Sequence, residues 1–172
     1  MFRRLKARAA AVKTISSLLQ QAEEIARGRG TDKPAAEHLV LAALQLPDGT
    51  ASRAFDRLGS SRHDFRAALD AQEAEDLERI GVHAPSDRIR AELPEPTAPT
   101  GVYQSEASAQ QLFQAAADDA RRNGGSLVGA HVLRAAAALE HGPTARALRR
   151  MGIDRDALRE AAGAEIEDER NT

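Results

Sequence analysis

Five histidines, His38, His63, His83, His131 and His141, are the first side chains to test for chemistry, because neutral imidazole binds metals and moves protons near neutral pH. None stands in an HxxxH or HExxH spacing, which would put two ring nitrogens on one helical face toward a single ion. His38 and His131 instead open two similar apolar runs, so duplicated structural positions are the expected reading. Adjacent carboxylates, Glu23-Glu24 and Asp118-Asp119, fall late in amphipathic stretches and read as solvated helix faces. No serine sits in a GxSxG context, and the absence of cysteine excludes disulfides, thiol catalysis and thiolate metal sites and fits a reducing compartment. Gly28-Arg29-Gly30 lacks the strand and further glycines of a dinucleotide fingerprint and reads as a helix stop, and no GxxxxGK[ST] occurs. The chain is expected not to be an enzyme, and it asks for no cofactor and no metal.

The elements that carry these residues form a repeat. AEHLVLAALQLPDGTASRAFDRLGSSRHDFRAAL, residues 36–69, recurs without a gap as GAHVLRAAAALEHGPTARALRRMGIDRDALREAA, residues 129–162, with 12 of 34 positions identical. His38/His131, Gly49/Gly142, Arg53/Arg146, Ala54/Ala147 and Gly59/Gly152 are among the matches, and Leu39/Val132, Phe55/Leu148, Leu58/Met151 and Phe65/Leu158 exchange like for like. Two glycine breaks at one spacing mark a duplicated supersecondary unit.

Apolar periodicity gives a first helix from about Phe2 to Ala26 with Leu5, Val12, Ile15, Leu19, Ala22 and Ile25 or Ala26 inward. A buried second helix follows, with Asp32 as cap and Pro34 in its first turn. Pro47-Asp48-Gly49 is a turn; a third helix ends at Gly59, and Ser61 with Asp64 caps a fourth. That helix runs on into the acidic stretch Glu73–Glu78, Pro85-Ser86-Asp87 starts a short helix, and Leu93–Gly101 reads as an extended linker. Ser105 caps a fifth helix with Ala109, Leu112, Phe113, Ala116 and Ala120 inward. Three more follow at 128–139, 143–151 and 154–166, after which the acidic end frays. The expectation is an all-α domain of two four-helix repeats, at about 13–70 and 105–162, joined by a linker at 73–104 and followed by an acidic tail at 163–172.

Composition supports helices: aromatics are 3% and Trp is absent, so the core is built from Ala, Leu, Val and Ile. The net charge of −2 attracts neither nucleic acid nor an anionic membrane as a whole. No run approaches the roughly 18–20 apolar residues of a membrane span, no signal-peptide core is present, and the cytoplasm is the expected location. Abundant Arg and Ala suit a GC-rich bacterial coding sequence. One local exception is the basic start, Arg3, Arg4, Lys6, Arg8 and Lys13 ahead of the first acid at Glu23. It supplies the alternative function, a helical regulator that binds nucleic acid or an anionic membrane through its first helix.

EHLVLAAL, PDG, TASRAFDRLG and a capped helix in that order resemble the N-terminal repeat of Clp-family AAA+ unfoldases. Gln21 to Ala26 resembles the end of that repeat's first helix, and residues 117–125 with the AHVL helix at 130–133 repeat the likeness. The resemblance implies a double four-helix domain that binds adaptors and protein substrates for an ATPase ring, here free-standing because the ATPase motifs are missing. It implies Clp ATPase or protease components, their adaptors or substrates, proteins carrying phosphorylated arginine, or cyclic peptides as partners, and no nucleic acid or membrane. Some members bind phosphorylated arginine through the Glu of a TEH motif and an early Thr. Carried onto this sequence, the Glu is Glu37 in the first repeat and falls on Ala130 in the second. The early Thr aligns with Val12, and with Ser105 or Glu106 in the second repeat. The function implied is an adaptor, substrate-recognition or decoy protein.

Overall fold

The computed structural model describes residues 2–79, 106–123 and 125–171, with side chains from residue 12 onward. Eight helices make up this part of the chain: α1 (Phe2–Gly28), α2 (Ala36–Ala43), α3 (Thr50–Arg57), α4 (Arg62–Arg79), α5 (Ala107–Arg122), α6 (Gly129–Ala136), α7 (Gly142–Arg150) and α8 (Arg155–Arg170). The expected all-α architecture of two four-helix sets is the one found. The short helix expected at Pro85, the linker Leu93–Gly101 and Ser105 lie outside the described residues.

The repeated glycines explain the shared rhythm. Gly49 and Gly142 have φ of 67° and 91°, and Gly59 and Gly152 have 65° and 70°, a left-handed backbone that residues with a Cβ rarely adopt. Each therefore stops the chain at the same point of each half. At the start of α4, Ser61 and Asp64 form the expected capping box: the Ser61 amide donates to Asp64 Oδ2 at 2.8 Å, and the Asp64 amide to Ser61 Oγ at 3.3 Å.

Burial follows the pseudo-symmetry. The central α2 is buried along nearly its whole length, and it packs on α1, α5, α6 and α7. Phe55 and Phe65, both fully buried, meet edge to face at 6.1 Å between centroids, a favoured geometry for two rings in a core. Where α6 begins, a methyl group on Gly129 would come 2.9 Å from both the Ala43 carbonyl oxygen and the Ala51 Cβ. That close approach joins the two repeats.

The closing helices cross over. α4 packs on α7 of the other repeat, and α8 packs on α3. Related ion pairs line both crossings: Arg53–Glu169 at 3.7 Å and Arg57–Asp168 at 3.0 Å on one, Arg146–Asp76 at 3.1 Å and Arg150–Glu75 at 2.6 Å on the other.

Three expectations need correction. α2 begins at Ala36 with Ala35 as its N-cap, so exposed Asp32 does not cap it. The segment before it is held elsewhere: the Glu106 amide donates to the Pro34 carbonyl at 2.9 Å. Val12 is 67% exposed although it shares the phase of the inner stripe, and Leu18, fully buried, takes the central place. The 27-residue α1 is about 40 Å long against about 12 Å for the 8-residue α2 it packs on, so its stripe outruns its partner. Finally, α8 continues to Arg170 instead of fraying near Ile166, because Arg53 and Arg57 bind the buried Glu165.

Candidate functional site

Both duplicated histidines do the same structural work. His38 Nδ1 accepts from the Ala35 amide at 2.9 Å, and His131 Nδ1 accepts from the Val128 amide at 3.2 Å. Each imidazole thus takes the place of the glutamate in a capping box, three residues into its helix. Accepting at Nδ1 requires a neutral ring with the proton on Nε2. Burial, then the nearby Arg29, depresses His38 to about 4, and burial likewise lowers His131. Among the described residues, no cluster of three or more His, Cys, Asp or Glu could hold a metal ion.

A cavity of about 410 Å³ opens beside His38, where the start of α2, the second half of α4 and the start of α7 meet. Leu69, Leu77 and Pro143 give it apolar surface, while Arg29, Glu37, Asp76 and Arg146 supply charge. The arginines are already engaged, Arg29 with Asp70 and Glu73 and Arg146 with Asp76. Glu37 is different. Half-buried, it has no cation within ion-pair distance among the described residues, and burial raises its carboxyl above the ordinary range despite a bond from its own amide and the charge of Arg29. A desolvated carboxylate without a counter-ion on a cavity wall is suited to receive a donor from a ligand.

The corresponding seam of the other half is built differently. Position 72 is Gln in α4, and its counterpart in α8 is Glu165. Glu165 accepts from Arg53 Nε and Arg57 Nε, both at 2.6 Å. Burial pushes its carboxyl up, but these two bonds and charges outweigh it and hold the group below its usual value. Gln72 donates instead to the carbonyls of Ala68 and Pro143 at 3.3 Å. At one seam an internal carboxylate binds two arginines, while at the other a neutral amide borders the cavity.

Of the residues singled out from sequence, Glu37 lines this cavity. Glu106, exposed at the N-cap of α5, is near enough to contribute to the raised Glu37 carboxyl. Val12 is exposed on α1 outside the cavity lining. Ala130 is fully buried, its amide donating to Thr50 Oγ1 at 2.8 Å. Glu37 and Glu106 are thus near each other, whereas Val12 and Ala130 lie outside the cavity lining. Sequence reasoning missed Arg29, Asp76, Pro143 and Arg146. The pairing of Arg53 with Arg146 across the repeat was the available signal, but their partners lie 112 and 70 residues away.

Residues 13–92 match the Clp repeat (R) N-terminal domain family. No curated protein sequence matches the chain. Among solved structures, the N-terminal domain of the caseinolytic protease associated chaperone ClpD from Arabidopsis thaliana is similar. It is 22% identical with a TM-score of 0.54, and the match covers 91% of this chain and 94% of that one. The family likeness thus covers residues 13–92, and the likeness that extends over both halves is one of fold.

Proposed function

We propose that this chain is a protein- or peptide-binding module of Clp proteolysis that recognises substrates or adaptors without catalysing a reaction. The observation that carries this reading is the seam cavity, in which apolar Leu69, Leu77 and Pro143 adjoin the unpaired Glu37 carboxylate. Such a mixture suits one side chain of an extended peptide, its apolar part against the leucines and its donor on Glu37. A guanidinium group, phosphorylated or not, fits that donor requirement. Val12 and Ala130 are apolar and supply no such acceptor, so the first-repeat cavity around Glu37 is the site we assign. The role is that of adaptor, substrate receptor or decoy in the cytoplasm.

The test is a tagged pull-down from the native host at moderate salt, read by mass spectrometry, with wild type and Glu37→Lys side by side. Recovery of a Clp ATPase, its peptidase or its substrates by wild type alone supports the reading. Capture of nucleic acid or lipid that is lost as salt rises would favour the basic first helix instead.

A further inference from the structure

A second concavity lies on another side of α4, between α1, α2 and the first turns of α4. It has a volume of about 270 Å³, and Ile25 and Leu41 give it an apolar floor beneath Arg62 and Arg66. The two halves treat this notch differently, and the difference is one of charge.

In the second half, Arg134, Arg155 and Arg159 of the corresponding notch each have a close internal partner. Arg134, in the place of Leu41, closes on Asp119 through Nε at 2.8 Å. Arg155 donates to the carbonyls of Ala137 and Ala138 at 2.8 and 3.1 Å, and Arg159 pairs with Asp156 at 2.7 Å. In the first half the counterparts of Arg155 and Arg159 are Arg62 and Arg66. The Leu44 carbonyl, counterpart of the Ala137 carbonyl that Arg155 binds, accepts instead from the Ser52 hydroxyl at 2.9 Å. No carboxylate lies within ion-pair distance of Arg62 among the described residues. Arg66 reaches Asp70 only at 3.9 Å, and Asp70 is bound more closely by Arg29. Two exposed guanidinium groups thus stand over an apolar floor, Arg62 without a carboxylate partner among the described residues and Arg66 sharing Asp70 with Arg29.

We propose that this notch is a docking site for an acidic segment of a partner protein, a Glu or Asp side chain on Arg62 and Arg66 with a neighbouring apolar side chain on Ile25 and Leu41. Guanidinium forks match carboxylate geometry, and the floor favours a peptide carrying apolar side chains over a bare polyanion. The site shares only Arg29 with the lining of the seam cavity, and that guanidinium is held by Asp70 and Glu73.

The experiment is fluorescence anisotropy on the full 172-residue chain. The labelled probe is an acetylated and amidated peptide of alternating glutamate and leucine, compared with its glutamine counterpart. The glutamate peptide is expected to bind at least tenfold more tightly than the glutamine one. Arg62→Glu with Arg66→Glu is expected to weaken it at least tenfold while leaving the circular dichroism spectrum and melting temperature unchanged. Glu37→Lys and Arg159→Glu are expected to leave peptide binding intact, which separates this site from the seam cavity and from the second-half notch. Failure of the glutamate peptide to bind, equal binding of the two peptides, or undiminished binding by the double variant would overturn the proposal. So would a single-stranded oligonucleotide of matched charge that binds through the same arginines more tightly.

Discussion

Gln72 and Glu165 stand at the same place in the two closing helices, and only the second carries a charge. Glu165 is 2% exposed and holds Arg53 and Arg57 at 2.6 Å each. Gln72, 7% exposed, leaves Arg146 and Arg150 to Asp76 and Glu75. One seam thus holds a buried carboxylate clamp where the other holds a neutral amide beside a cavity.

Glu165→Gln should lower stability by about 2 kcal/mol, the scale of a lost hydrogen bond to a charged group in a partly buried setting. For a chain of this size that corresponds to roughly 4–8 °C in Tm. Thermal melting of the variant at neutral pH checks it, and an unchanged melting temperature would show that the clamp contributes nothing.

The same carboxylate adds an acid limb. Its folded pKa lies below the unfolded value of about 4.3, so its contribution is complete above that pH and is lost as pH falls through the folded pKa. Urea titrations should show this loss in wild type and a smaller one in Glu165→Gln.

His38 acts at higher pH. Its folded pKa is about 4 against about 6.5 unfolded, so the unfolded chain binds the extra proton between these values. Stability from the buried neutral ring is therefore full above about pH 6.5 and declines by up to about 3 kcal/mol as pH falls to 4. His131, also depressed, acts in the same direction. Denaturation midpoints from pH 7 to 4 should fall less steeply in His38→Gln than in wild type; parallel slopes would contradict the assignment.

Gly129→Ala should destabilise by about 1–3 kcal/mol, because the new methyl meets a backbone carbonyl and Ala51 at the joint between repeats. Equilibrium urea unfolding measures this. A neutral result would mean that the α2–α6 joint yields at little cost.

Much of the fold was legible because it rests on local rules. The glycines at 49, 59, 142 and 152 declare their turns, and Ser61 with Asp64 declares a helix start. The matching of His38 to His131 pointed to a structural pair, which the shared N-terminal hydrogen bonds explain. What escaped was non-local. Arg53, Arg57, Arg146 and Arg150 look like solvated faces until α8 and α4 cross onto them, and the acidic end of α8 looks frayed until Arg53 and Arg57 are seen. Val12 has the right phase for burial, but periodicity says nothing of where a partner helix ends. At the site, Glu37 came from the family likeness, whereas the residues around it come together only through the crossing of α4 over α7.

The central claim is that a peptide of a Clp partner enters the cavity beside Glu37. A photo-crosslinking amino acid at Leu77, which is partly exposed on the cavity wall, tests it most directly. After irradiation in host lysate and mass spectrometry, the account predicts adducts with a Clp ATPase, its peptidase or its substrates that disappear in Glu37→Lys. Adducts that persist in Glu37→Lys, or that form from the crosslinker at Val12 and never at Leu77, would contradict it.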